Sequence, residues 1–255
     1  MPKTTRIPQP ILLAAILLAL IVRCDVTVLT EDPSDSPYRT KHFTIYSDSP
    51  YFGPDDLELV GMRKEYLLGR INEYLGTRYD RMIEVFITDT TVNSHVHLTE
   101  QVWEHTDYVL VDDGHEIAHV VSFQEWGYCQ SSIIKEGIAV AASVPVDGSS
   151  TLQRFRSTLA GARCGGADID NDMYELRKDI TNNAWDGTWW EYMRAGAFVQ
   201  FLREQFGMDA VKAWYQSCVG TSPGNAGDSF RTVFGVRLDD AIARFKTELV
   251  GTPRT

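Results

Sequence analysis

Two histidines four residues apart, His115 and His119, with Glu116 between them, constrain this chain more than any other stretch. On a helix, residues i and i+4 share one face about a turn apart. Both imidazoles then reach a single ion, and Glu116 lies beside it. The neighbouring residues agree with a helix. Val109-Leu110-Val111 predicts a strand end, Asp112 and Asp113 offer an N-cap, and Val120, Val121 and Phe123 carry the apolar pattern onward. A second buried helix is predicted over residues 133–142, carrying one carboxylate, Glu136. A buried carboxylate is costly unless it is paired or bound to a cation. Glu136 stands among Ile133, Ile134, Ile138, Ala139 and Val140, so it reads as a third ligand, with a salt-bridged core glutamate as the alternative. Glu125 is a rival, but it falls only six residues past His119, near the end of the same helix.

The chain has 255 residues, enough for one good-sized domain or two small ones. A formal charge of −11 argues against nucleic acid and against anionic lipid as partners. The first residues read as a targeting segment. Lys3 and Arg6 precede an unbroken apolar run from Ile11 to Val22, too short for a comfortable membrane span and suited to a signal-peptide core. Residues 1–24 are therefore expected to be a signal peptide or lipoprotein signal, and the protein to be exported: secreted, periplasmic or attached to the cell envelope. Cys24 follows the run and is a candidate lipid-bearing residue, although Arg23 is larger than the residue normal before such a cysteine. An uncleaved N-terminal anchor is the alternative. Without Cys24, Cys129, Cys164 and Cys218 remain, so at most one disulfide forms, and the sequence does not choose the pair.

Residues 25–41, rich in Pro, Ser and Asp from Thr30 on, read as a linker. A strand is predicted over 42–46, a helix over 57–75 closed by Gly76, and a second strand over 82–88. Val92 to Leu98 alternates as an edge strand, with His95 and His97 on one face, and Trp103 and His105 are placed in a loop. Helices are predicted over 149–161, 189–206, 210–218, 230–234 and 238–249, with Gly165 to Asp172 as a loop. The three acids of that loop, Asp168, Asp170 and Asp172, lack the spacing of a calcium-binding hand. The order is strands with one helix, then helix alone. This is an α+β class, with a small N-terminal sheet, a mainly helical C-terminal half and the candidate site between them.

The motifs HEIAH and KEGIAVAAS resemble those of the gluzincin zinc peptidases, in particular the peptidase-MA-like group. The HFTIY strand and the EYMRAGAFVQFLREQFG helix extend the likeness over most of residues 42–250, in pattern only. The subclass that ends its motif in a third histidine is excluded, since Ser122 and Glu125 stand where glycine and histidine are needed. The resemblance implies a zincin-like domain over 42–250, one Zn2+ held by His115, His119 and Glu136, and hydrolysis of peptide bonds in a peptide or protein substrate. Catalytic zinc keeps a fourth position for water and lowers its pKa toward neutrality. Glu116 is then the general base, and Tyr192 the candidate oxyanion donor, with a core tyrosine as its alternative; Arg194 is a second choice, with an exposed surface arginine as its alternative. One departure is Val140, where many gluzincins carry an aspartate bonded to a zinc histidine.

Other readings compete. The chain can be an exported zincin-fold protein that binds a partner without turning substrate over, or an α+β lipoprotein in which HExxH arises by chance. His95 and His97 can line a groove or bind a second metal, or be half-exposed edge residues. Trp185, Trp189 and Trp190 can form a sugar platform or pack around the cleft. Substrate specificity and oligomeric state are not legible in the sequence.

Overall fold

In the computed structural model, residues 37–90, 94–97, 100–106, 109, 113–143, 149–164, 168–221 and 225–250 are described. The expected signal segment, Cys24, most of the linker, Leu110 to Asp112 and Gly165 to Ala167 lie outside them.

The N-terminal part is a five-stranded mixed sheet in the order β1-β2-β3-β5-β4, formed by Tyr38–Arg39, Phe43–Ser47, Ile83–Thr88, Gln101–His105 and His95–His97 respectively. β2, β3 and β5 run parallel, and β1 and β4 close the edges antiparallel. Parallel neighbours need a crossover, which helix α1, Pro54–Leu75, supplies between β2 and β3. Pro54 starts α1 with its fixed φ, Asp55 and Asp56 sit at the positive end of the helix, and Gly76 closes it at φ 66°.

One sheet face is packed inward by Phe43, Ile45, Ile83, Val85, Ile87 and Val102. The other carries Tyr46, Phe86, Trp103 and His95 in register, stacked at 4.9, 4.5 and 6.3 Å between centroids. Two expectations need correction here. Tyr38–Arg39, read as linker, is the first strand. Trp103 and His105, read as loop, lie in β5. The second inward position of β5 is not apolar but Glu104, fully buried and ion-paired with Lys64 of α1, which breaks the alternation that marks a strand.

The described elements that follow are helices: α2 His115–Trp126, α3 Ser132–Ala142, α4 Thr151–Cys164, α5 Ile169–Asn182, α6 Trp189–Phe206, α7 Met208–Gln216, α8 Asn225–Phe234 and α9 Leu238–Val250. The protein is thus α+β as expected. α5 was not foreseen. Its acidic start, read as the end of a loop, is a first turn in which the Asp168 side chain caps by accepting from Asp170 N–H. Acids favour that end of a helix, so the run that resembled calcium ligands is helix-start chemistry.

The closest packing joins α3 to α6. A Cβ on Gly137 would lie 3.0 Å from the Ala195 carbonyl oxygen, and one on Gly196 would lie 2.4 Å from Val140 Cγ1. Each helix has a glycine notch where the other passes. α6 is further tied to α5 by Arg194, whose Nη2 donates to Asp179 Oδ2 at 2.7 Å with both side chains buried.

Candidate metal centre

α2 begins at His115 because the chain reverses at Gly114, whose φ of 87° favours glycine. A Cβ there would also meet Ile71 Cδ1 of α1 at 2.9 Å. Gly114 is the N-cap, in place of the expected aspartates, but the Asp113 carboxylate still accepts from His115 N–H at 3.2 Å. One turn of helix then sets the two imidazoles edge to face, 4.7 Å between centroids.

Residues 127–131 reverse the chain into α3. The start of α3 is held from outside, since Ser132 N–H donates to Asn183 Oδ1 at 3.0 Å. One turn further on, Glu136 faces the histidines. Its Oε2 lies 3.3 Å from His115 Nε2 and 2.9 Å from His119 Nε2, and the two Nε2 atoms are 3.1 Å apart.

These spacings fit a metal ion. Ligand atoms about 2.0–2.1 Å from a tetrahedral zinc are separated by about 3.3 Å. Two neutral imidazoles that both turn Nε2 lone pairs inward would repel each other, and an ion between them removes that conflict. His115, His119 and Glu136 are, among the described residues, the group of histidine, cysteine and acid side chains able to hold an ion. His119 Nδ1 is buried and finds no hydrogen-bond partner among the described residues. The position where an outer carboxylate was expected to be missing, Val140, is occupied instead by packing against Gly196.

The charges are coupled. Burial acts against a charged His115, but the Glu136 hydrogen bond and the negative fields of Glu116, Glu136 and Asp113 outweigh it and push its pKa up to about 9. Burial would raise Glu136, yet hydrogen bonds from both histidines hold it well below the usual carboxylate range. An anionic carboxylate facing two nitrogen donors is the state a divalent cation takes over.

The triad opens into a cleft of 330 Å³ lined also by Glu116, Tyr192, His95, Phe123, Tyr128 and Lys135. Glu116 is buried to 8 % exposure. Tyr192 of α6 reaches the same space, its ring 5.8 Å from that of His115 and 5.0 Å from Trp185. Burial, then the charges of Glu136, Glu116 and Glu191, push its pKa up to about 12. Its hydroxyl therefore stays protonated and able to donate.

The remaining expectations divide. His95 lines the cleft, while the His97 side chain lies outside the described residues. Arg194 is neither an exposed surface residue nor a cleft donor; it is buried, and its guanidinium faces Asp179. Glu125 is exposed on α2 and lies outside the ion-binding group. The three tryptophans divide: Trp185 packs on Tyr192, Trp190 Nε1 donates to Asp172 Oδ1 at 2.7 Å, and Trp189, 59 % exposed, lies 6.2 Å from the Trp190 ring. Lys135 and Tyr128 were missed. They meet across the cleft wall, with Lys135 Nζ donating to Tyr128 Oη at 3.4 Å. Their only sequence signal is adjacency: Lys135 precedes Glu136, and Tyr128 sits in the connection between α2 and α3.

No protein-family model matches the chain, and no curated protein matches it. Among the described residues, no helix is long and apolar enough to cross a membrane.

Proposed function

We propose that the chain is an exported zinc metallopeptidase of the gluzincin type with a zincin-like fold, acting on a peptide or protein substrate. One observation carries the reading: His115, His119 and Glu136 converge on a common point, at the edge of a cleft that Glu116 and Tyr192 also border.

Zinc held by the triad would polarise the scissile carbonyl and acidify water. Glu116 has the place and the chemistry of the general base, accepting a proton from the attacking water and delivering it to the departing amine. Tyr192 donates its hydroxyl proton into a hydrogen bond with the oxyanion that develops on the carbonyl. Phe123 stacks on His119 at 5.4 Å and shields the ring from solvent on one side.

The test is a pair of measurements on purified protein. The wild type is expected to carry about one zinc per chain and to cleave members of a mixed peptide library. The Glu116→Gln variant is expected to keep the metal and lose cleavage. Full activity in that variant would overturn the mechanism. Metal binding without cleavage of any peptide would favour a zincin-fold binding protein, and absence of metal a chance motif.

A further inference from the structure

We propose that Cys129 and Cys218 form a disulfide that ties the connection between the two ligand helices to the end of α7. This does not depend on the peptidase reading.

Cys129 lies in the segment 127–131 that turns the chain from His119 toward Glu136. It pairs across an isolated antiparallel bridge with Val219, and the next residue, Gln130, donates its N–H to the Cys218 carbonyl at 3.0 Å. The two segments therefore run side by side with the cysteines within one residue of register. Both side chains are fully buried, and their thiols are in hydrogen-bonding contact. Among the described residues, apart from each other and the neighbouring Ser217 hydroxyl, the thiols' hydrogen-bond partners are backbone carbonyls at long range: Cys129 Sγ lies 3.7 Å from Ser131 O, and Cys218 Sγ 3.7 Å from Trp214 O. Thiols are weak donors, so a covalent link sacrifices little.

The pair is also polarised. The contact with Cys218 and burial raise the Cys129 thiol, while the same hydrogen bond lowers Cys218. With oxidised glutathione as oxidant, the Cys218 thiolate attacks one glutathione sulfur and expels the other as a thiolate, leaving a mixed disulfide. Cys129, deprotonated, then attacks Cys218 Sγ and expels the second glutathione thiolate. Two protein thiols are oxidised, one glutathione disulfide is reduced to two glutathiones, and the two protons end on those leaving thiols. Because both sulfurs are shut from solvent in the folded protein, the exchange runs while the chain is folding, before α7 docks.

The link has a place in the architecture. Gly127, at φ 93°, already brings the connection so close to Val219 that a Cβ on it would meet Val219 Cγ1 at 3.0 Å. A covalent tie there clamps the turn that sets the spacing between the imidazole pair and Glu136.

The experiment refolds the full mature chain in a glutathione redox buffer, blocks free thiols with N-ethylmaleimide under denaturing conditions, and maps the peptides by mass spectrometry. The expected result is a linked Cys129–Cys218 peptide, two hydrogens lighter than its parts, with no alkylation at either cysteine until dithiothreitol is added. The thermal midpoint of the oxidised protein is expected to fall by roughly 5–15 °C on reduction. A Cys129→Ser/Cys218→Ser double variant should show no response to dithiothreitol. Alkylation of both cysteines after oxidative refolding, or a link from either one to Cys164, overturns the proposal. The peptide map needs only wild-type protein, so it decides even where the double variant fails to fold.

Discussion

The ring of Tyr192 stands edge-on to that of His115, 5.8 Å between centroids, although α6 and α2 lie far apart in sequence. Tyr192 thereby brings a neutral hydroxyl to the cleft that the carboxylates of Glu116 and Glu136 also border. If it stabilises an oxyanion, Tyr192→Phe lowers kcat by about a hundredfold or more and leaves KM within a few-fold, because the bond is made in the transition state alone. Zinc content should not change. Equal kcat in the variant and the wild type would return Tyr192 to the status of a packing residue.

Metal uptake should be coupled to protons. In the metal-free protein the His115 pKa stands at about 9, against its ordinary 6.5, so its proton stabilises the fold fully below about 6.5 and that contribution is lost as pH climbs through 9. Glu136 is displaced the other way: its contribution is present above its ordinary 4.5 and lost as pH falls into the acid range. A zinc ion must displace the His115 proton. Calorimetric titration with zinc at pH 7 is therefore expected to release about one proton, seen as a binding enthalpy that changes with the ionisation enthalpy of the buffer. The apparent affinity should rise with pH until about 9. An enthalpy independent of buffer would contradict this.

Gly137 follows Glu136 directly, and its missing side chain is what lets α3 lie against the Ala195 carbonyl. Gly137→Ala should cost about 1–3 kcal/mol by overpacking and weaken zinc binding, since the backbone that must move carries Glu136. Gly69, mid-helix in α1 and exposed, has nothing within 4 Å of its would-be Cβ. Gly69→Ala should stabilise by about 0.5–1 kcal/mol. Denaturant melts of the two variants side by side give the comparison; similar behaviour would mean that the α3–α6 approach is loose.

Arg194 is the cation within reach of three buried carboxylates, with Asp179 at 2.7 Å, Asp172 at 3.7 Å and Glu191 at 4.0 Å. Burial holds the Asp179 carboxyl up at about 6 even beside the guanidinium. Arg194→Met strands these acids without their counter-charge, and a loss of about 3–5 kcal/mol is expected from urea unfolding. A double variant with Asp179→Leu should recover part of it. An unchanged midpoint in the single variant would show that solvent reaches the cluster.

How far this molecule can be read from its residues depends on whether the signal is local. His115, His119 and Glu136 were legible because helical spacing puts two on one face and an apolar run makes the third conspicuous. The strands of Phe43–Ser47 and Ile83–Thr88 and the long helices were legible by periodicity. β5 was not, because Glu104 points inward and its partner Lys64 is 40 residues away in sequence. Arg194 reads as a surface residue until Asp179 is placed opposite it. The start of α5 was hidden because aspartates serve turns and helix starts equally well. Gly137 lies inside the predicted helix 133–142 without a role there, and only the presence of α6 shows what it is for.

His115 and Glu136 are separated by just 21 positions. Closing so short a loop costs little chain entropy compared with bringing distant segments together, and contacts of short range form early. If the triad binds an ion, its three side chains can be brought together by a short hairpin, to which the later Asn183 adds its bond at the start of α3. Tyr192 joins only when α6 settles against α3. The three side chains of the triad are thus neighbours along the polypeptide, whereas the cleft they border is completed only by a residue from much further on.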